Sequence, residues 1–428
     1  MFLVIFSYVS KVVTVPEDYR NYQWVAGFYE EPEDTLDAVY IGSSNCYAFW
    51  NSLTAWEENG IAVWPYAAHG MMFEATEYII KEGRKTQPDA LYIVNLNGLT
   101  NPNRFPAKIH WTTDYMPFSL NKMQLINCLT KESGYSLSES IEYYIPLTLY
   151  HDRWSDLNEQ DFNYEVDGLK GAGNYPGYIN KTKDITDIYL RSDNRTSIDS
   201  VFDVVESLLD YCEEENVKVL FVTVPRVEKP VETIDLLNSV NDYIESRGFD
   251  TLNLMNKDDE IGLELNQDYY NNQHTNIHGS IKFTRYISQY IIDKYGFENK
   301  RGNETYNSWE DGLKKYNDII SPYALDIERG NTNRDYTLEK PASLKAEYEN
   351  QGIVSWKEVD GADFYNVYRK YGIKGQWEKV ETTKDTMYID ECCESGNTYY
   401  YTVVPSYEKD GTMYYGKFKY KGVSLTVD

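Results

Sequence analysis

Ser44 and His274 are the residues whose types and surroundings can do chemistry together. Ser44 closes the run Val39-Tyr40-Ile41-Gly42-Ser43-Ser44, a short apolar strand that stops at a glycine and delivers a serine onto a helix. His274 opens the run His274-Thr275-Asn276-Ile277-His278-Gly279, a loop leading into the start of a late helix. A serine hydroxyl becomes a nucleophile when a base lies within hydrogen-bond reach and donors face the developing oxyanion. The amide of Ser44, at a helix start and aided by the helix dipole, is one such donor. Taken singly, Gly-Ser-Ser after a strand reads as a structural turn and a loop histidine as inert. Taken together they are the parts of an acyl-transfer site, provided that the two loops meet.

The flanking elements decide whether they can. Asp37–Ile41 reads as a buried strand, Asn45–Asn59 as a helix ended by Gly60, and Ile61–Trp64 as a second strand. Met71–Glu82 is a helical stretch, and Ala90–Val94 a third strand running into Asn95-Leu96-Asn97-Gly98. Regularity returns with a helix over Ile198–Glu215, a strand over Val217–Val224, a helix near Ile234–Arg247 and a strand at Thr251–Leu254. A final helix, Gly279–Tyr295, carries Phe283, Ile287 and Ile291 as a packing stripe. Strands alternating with helices through short turns predict parallel strands covered on both faces. Ligands of such sheets bind outside the carboxyl ends of the strands, where Ser44 falls. Residues 101–200 are less regular, with a helical piece near Lys122–Thr130, and have the length of an insertion that builds a lid or wall.

Length and composition set bounds. The 428 residues suit two domains, and 42% hydrophobic with 15% aromatic residues supply a core. A formal charge of −27 repels phosphate backbones, so nucleic acid is excluded as the natural partner. Five scattered cysteines match neither a zinc spacing nor a disulfide framework. The apolar start, Met1 to Ser10, is too short to span a bilayer and lacks the marks of a signal peptide. It reads as the tail of a membrane anchor, the alternative being an apolar first strand or helix. Residues 11–36 read as a polar and aromatic lead-in over the surface.

Texture changes after Pro341. Short alternating strands at Leu344–Ala346, Gly352–Trp356, Phe364–Arg369 and Thr398–Val403 predict an all-β sandwich. With Trp356, the Gly361-Ala362-x-x-Tyr365-x-Val367-Tyr368-Arg369 stretch and Thr398-Tyr399-x-Tyr401-x-Val403, this segment resembles a fibronectin type III module. The resemblance implies that the Tyr399 hydroxyl ties a loop to the sandwich corner.

The first part also resembles a family. Gly42-Ser43-Ser44, Tyr150-His151-Asp152-Arg153-Trp154 and His274-Thr275-Asn276-Ile277-His278-Gly279-Ser280-Ile281-Lys282-Phe283-Thr284 are similar to motifs of the SGNH/GDSL hydrolase superfamily, in its bacterial cell-surface branch with Gly-Ser-Ser. The resemblance covers roughly residues 35–295. It implies a three-layer α/β/α parallel sheet of the flavodoxin-like SGNH type, with Ser44 as nucleophile and His274 as base. It further implies an oxyanion hole from the amides of Ser44 and Gly70 and the side chain of Asn97, with Asn95 as rival. Asn45, His151 and Arg153 are candidates for the site wall, the latter two with a structural salt bridge as the favoured role.

Two positions depart from the family pattern. Asn95-Leu96-Asn97-Gly98 stands where Gly-x-Asn-Asp is usual, and Asn271 occupies the place of the aspartate that orients the histidine. An amide can hold the tautomer but does not balance an imidazolium as a carboxylate does. Asp268 substitutes if the loop bends back, a Ser–His dyad is a second option, and a degraded site a third.

The expected division is a lead-in over 1–34, the hydrolase domain over 35–298, a linker or bracing helix over 299–338 and the fibronectin-like domain over 339–428. The expected function is an extracellular serine esterase or O-acyltransferase at a bacterial cell surface, acting on O-acyl groups, above all O-acetyl, of carbohydrate. The substrate is an ester-bearing small molecule or polysaccharide, a membrane tether precedes the domain, and neither metal nor cofactor is implied. The alternative is an SGNH-fold surface protein without catalysis, serving in glycan binding or adhesion.

Overall fold

The computed structural model describes residues 8–9, 12–13, 23–101, 106–145, 147–155, 157, 159–162, 166–172, 191–227, 231–320, 337–372, 377–419 and 422–427. The chain divides into two compact units whose main boundary falls after Leu313.

The first unit is built on five strands: β1 (Ala38–Gly42), β2 (Val63–Ala67), β3 (Leu91–Asn95), β4 (Val219–Thr223) and β5 (Asp250–Asn253). They pair in the order β2-β1-β3-β4-β5, and every pairing is parallel. The first four are buried along their whole length, which explains their continuous rather than alternating apolar runs. Strand order reverses between β1 and β3, and such a switch point opens a crevice at the carboxyl ends of the strands. Ser44 follows β1, and Asn97 follows β3 just past its last residue, Asn95, so both loops border that crevice.

The predicted helix over 45–59 is two helices, α1 (Ser44–Phe49) and α2 (Ser52–Asn59). Asn51 causes the break: its side chain caps α2 by accepting from Thr54 N (3.1 Å), and its own N–H donates to Thr284 Oγ1 (2.8 Å). Thr284 lies on α9 (Ile277–Tyr295), whose Phe283, Ile287 and Ile291 are buried as their spacing predicts. Each contributes roughly 1.5–3 kcal/mol by leaving water.

Residues 106–145 are more regular than their sequence texture predicts. They form α4 (Pro106–Thr113), α5 (Leu120–Glu132) and α6 (Leu137–Tyr144), the last started by a capping box of Ser136 and Glu139.

The lead-in is corrected from about residue 23 onward. Trp24 and Phe28 are buried; the Trp24 indole donates to Gly171 O (2.9 Å), and Trp64 donates to Trp24 O (2.9 Å). At the other end, the segment expected to be a linker or bracing helix carries α10 (Asn307–Ile320), which begins inside the first unit. Trp309 donates to Glu31 Oε2 (2.9 Å), while Lys170 holds Glu31 Oε1 at 2.6 Å. Aromatic and paired charged residues carried these segments into the core, against their polar average.

The second unit is an all-β antiparallel sandwich. One sheet joins β8 (Lys345–Tyr348), β9 (Gly352–Ser355) and β12 (Met387–Asp390). The other joins β10 (Phe364–Tyr371), β11 (Glu378–Thr383), β13 (Thr398–Lys409), β14 (Thr412–Tyr415) and β15 (Val423–Thr426). Val354, Trp356, Tyr365, Val367, Tyr401 and Val403 fill the space between. The Tyr399 hydroxyl accepts from Glu394 N (3.1 Å) and donates to Cys392 O (3.5 Å), tying that turn to β13.

Candidate active site

The two loops meet: Ser44 Oγ lies 2.7 Å from His274 Nε2. Gly42 serves this by its size rather than by a special φ. A Cβ there would stand 2.8 Å from Asn95 Cβ and 3.0 Å from Cys46 Cβ, so only glycine lets β1 end against β3 as α1 turns away. Ser43 is the extended residue before α1, and Ser44 opens the helix.

His274 sits in a small hairpin of β6 (Tyr269–Asn271) and β7 (His274–Thr275). Thr275 Oγ1 donates to Ala48 O (2.5 Å), which ties the hairpin to α1. Asn276 caps α9 by accepting from Gly279 N (3.1 Å). With the Asn51–Thr284 bond, these contacts fix the serine and histidine loops to each other.

Asn271 stands behind the base. Its Oδ1 accepts from Gln273 N (2.8 Å) and His274 N (3.0 Å) and lies 3.1 Å from His274 Nδ1. Two backbone N–H groups fix which end of the amide is oxygen, so Nδ1 carries the ring proton and Nε2 is left to accept from Ser44. Asp268 does not substitute for it. Its carboxylate meets His278 Nδ1 at 2.6 Å and Lys282 Nζ at 2.9 Å, and accepts from Glu264 N (2.6 Å). Burial raises the Asp268 pKa, but the hydrogen bond and charge of His278, followed by those of Lys282, outweigh it and hold the carboxyl below its ordinary value.

Burial pushes the His274 imidazole down to about 3, with the Arg226 charge next and then His69. The base is therefore neutral across the physiological range, and nothing at position 271 offsets the imidazolium when it forms.

Gly70 adopts φ +65°, and the space where its Cβ would be is closed by Lys108 of α4, with Cε 2.7 Å away. His69 Nδ1 meets the Tyr47 hydroxyl at 2.9 Å, Trp111 lies edge-on to His69, and Trp24 stacks on Tyr47 at 3.6 Å. Asn97 is buried, and its side chain is engaged at both ends by one residue of the next strand's loop. Nδ2 donates to Val224 O (3.0 Å), and Oδ1 accepts from Val224 N (2.8 Å). Asn95 Nδ2 donates to the Tyr40 hydroxyl (3.1 Å). Asn97 thus braces β3 to β4, with one amide hydrogen left for a further acceptor.

Asn45 is buried in the first turn of α1. Arg153 forms a structural ion pair with Asp161 (2.8 Å) and donates to Val13 O (2.8 Å). The side chain of His151 lies outside the described residues. Arg226, Lys108, Tyr47 and Trp24 escaped the sequence reading. Pro225-Arg226, following the most strand-like run at the ligand-bearing edge, was the signal for the first.

No family model and no curated protein matches the chain. Several solved structures resemble part of it. An Fn3-like protein from Clostridium thermocellum is 24% identical over 21% of this chain and 94% of that one, with a TM-score of 0.18. The structure titled FN3tt is 14% identical over 21% of this chain and 95% of its own, with a TM-score of 0.18. A beta-1,2-glucanase from Parabacteroides distasonis is 20% identical over 23% of this chain and 14% of that one, at 0.18. Among the described residues no helix is long and apolar enough to cross a membrane.

Proposed function

We propose that the first unit is a serine esterase or O-acyltransferase of SGNH type, and that it acts on O-acyl, chiefly O-acetyl, groups of carbohydrate at a bacterial cell surface. A fibronectin type III-like module follows it. The observation that carries the activity is the 2.7 Å contact of Ser44 Oγ with His274 Nε2, with Asn271 Oδ1 behind the ring. Carbohydrate and location rest on the sequence resemblance alone.

Ser44 Oγ attacks the ester carbonyl while its proton passes to His274 Nε2. The amides of Ser44 and Gly70 face the oxyanion, with Asn97 as third donor through its remaining amide hydrogen. The ester C–O bond breaks, and the leaving alcohol takes the proton from His274. Water, or a sugar hydroxyl in the transferase case, then attacks the acyl-Ser44 carbonyl and gives its proton to His274. The acid or new ester departs and Ser44 recovers its proton.

Asn271 favours a second reading, a non-catalytic glycan-binding or adhesion module. Labelling by a fluorophosphonate separates the two, run on the wild type beside Ser44→Ala and His274→Ala, with p-nitrophenyl esters in parallel. Labelling and turnover that need both residues support the enzyme; no signal above the Ser44→Ala control overturns it.

A further inference from the structure

We propose that the alcohol half of the substrate carries a hydroxyl close to the scissile ester, and that Asn45, with Ser43 beside it, is the residue that reads it. The inference rests on the esterase reading and names the substrate class for the same site.

Ser43 is the extended residue before α1 and Asn45 lies in its first turn, one on each side of the nucleophile. Both are buried, with 7% and 3% of their surface exposed. Ser43 precedes the helix where a capping residue stands, yet its side chain makes no capping bond. Among the described residues neither side chain has a hydrogen-bond partner, and neither is walled off from solvent as the unpaired hydroxyls of Ser52 and Ser288 are. Other buried polar side chains of these loops are committed within the protein. Thr275 donates to Ala48 O, Asn276 accepts from Gly279 N, Asn95 donates to the Tyr40 hydroxyl, and Asn97 is engaged at both ends by Val224.

A buried polar group without a partner costs free energy, and two of them beside one serine are a cost that a bound ligand offsets. Consecutive Cα atoms lie about 3.8 Å apart, so side chains at 43 and 45 are within reach of a substituent one or two carbons from the ester that Ser44 attacks. The Asn45 amide presents a donor and an acceptor, and the Ser43 hydroxyl can be either. A substrate hydroxyl also donates and accepts, whereas a carboxylate only accepts and an ammonium only donates. The neutral hydroxyl is therefore the group that meets both ends of the amide. An ester lacking it leaves the buried amide unpaired, which is how such a site rejects an apolar analogue. The contact forms and breaks no bond.

Matched esters in which a hydroxyl replaces a methyl group test this, with acid release followed in a pH-stat. 2-Hydroxyethyl acetate stands against propyl acetate, and 3-hydroxypropyl acetate against butyl acetate. In at least one pair, kcat/KM for the hydroxylated ester exceeds its partner by about ten-fold or more. Asn45→Leu and Asn45→Ala collapse that ratio, a comparison in which the intrinsic reactivities of the two esters cancel. Asn45→Leu also melts at or above the wild type, because the amide it removes has no partner in the free protein. Equal kcat/KM within both pairs, or variants that lower both members of a pair by one factor, overturn the inference. So does an Asn45→Leu protein that melts well below the wild type or fails to fold, since the amide would then be structural.

Fluorophosphonate labelling of Ser44 without any hydroxyl preference sinks this inference and leaves the esterase standing. If nothing labels and no ester turns over, the esterase reading falls. The hydroxyl site is then read by melting of the Ser44→Ala protein with 2-hydroxyethyl acetate beside propyl acetate. Stabilisation by the hydroxylated ester alone, lost in the Ser44→Ala, Asn45→Leu double variant, keeps the site; none removes it.

Discussion

Asp268, just before the hairpin that carries the base, and His278 of α9 face each other at 2.6 Å, with Lys282 completing the cluster at 2.9 Å. The carboxylate lies three residues before Asn271, which stands behind the imidazole, and does a different job. Its main-chain carbonyl accepts from Asn276 N (2.9 Å), and Gly279 is a glycine because a Cβ would come within 2.3 Å of that same oxygen. The cluster thereby holds the start of α9 against the hairpin and keeps His274 at its height above the sheet.

Asp268→Asn leaves Lys282 beside a neutral amide in the interior and costs about 3–5 kcal/mol of stability at neutral pH. The native carboxyl is held below its ordinary value, so its contribution is present above the unfolded pKa and is lost as pH falls through the folded one. Urea unfolding at pH 7 and at successively lower pH should show the wild type and Asp268→Asn converging in acid. Parallel curves would mean that the carboxylate adds nothing.

Asn271→Asp keeps the acceptor for the two backbone N–H groups and adds the charge that the imidazolium lacks. His274 rises from its depressed value, and kcat/KM increases by about ten-fold for each unit of transition-state stabilisation recovered. The acid limb of the pH–rate profile moves upward with it. A variant with unchanged limb and rate would show that position 271 does not govern the base.

The His274 pKa of about 3 lies below its unfolded value of about 6.5. Between these values the unfolded chain binds a proton that the folded chain refuses, so stability drops as pH falls through this window and is untouched above it. His274→Gln flattens that segment of the stability curve. The acid limb of wild-type kcat/KM on a neutral ester falls well under 6.5, as a pH series followed by ester turnover will show.

Asn97→Ala strips Val224 of partners for both its N–H and C=O. Each buried group left unmet costs about 1–3 kcal/mol, so thermal melting should fall even though no core side chain is removed. Comparing kcat with KM separates bracing from oxyanion binding. A bracing role alone lowers stability and shifts KM, whereas a lost oxyanion donor lowers kcat by about 100-fold or more.

Much of this site was legible in the sequence because its parts depend on local signals. A strand ending in Gly42-Ser43-Ser44 and a helix stripe of Phe283, Ile287 and Ile291 announce their elements within a few residues. The break at Trp50-Asn51 was not legible from periodicity, because it depends on Thr284, more than two hundred residues away. The helix at Leu137 did have a local sign, Ser136-x-x-Glu139, masked by the irregular composition around it. Arg226 and Lys108 became site residues only through the packing of separate loops, and spacing alone carries no trace of that.

Trp24 stacks on Tyr47, the Tyr47 hydroxyl holds His69, and His69 adjoins the Gly70 turn. The early segment thus backs the loop that follows β2, although it belongs to no strand or helix that defines the sheet. A fragment cut at residue 35, just before the first strand, would retain every residue proposed for catalysis yet lose the aromatic ring that backs Tyr47 and, through it, His69. The functional limit of the first unit therefore lies at Trp24, well upstream of the sheet.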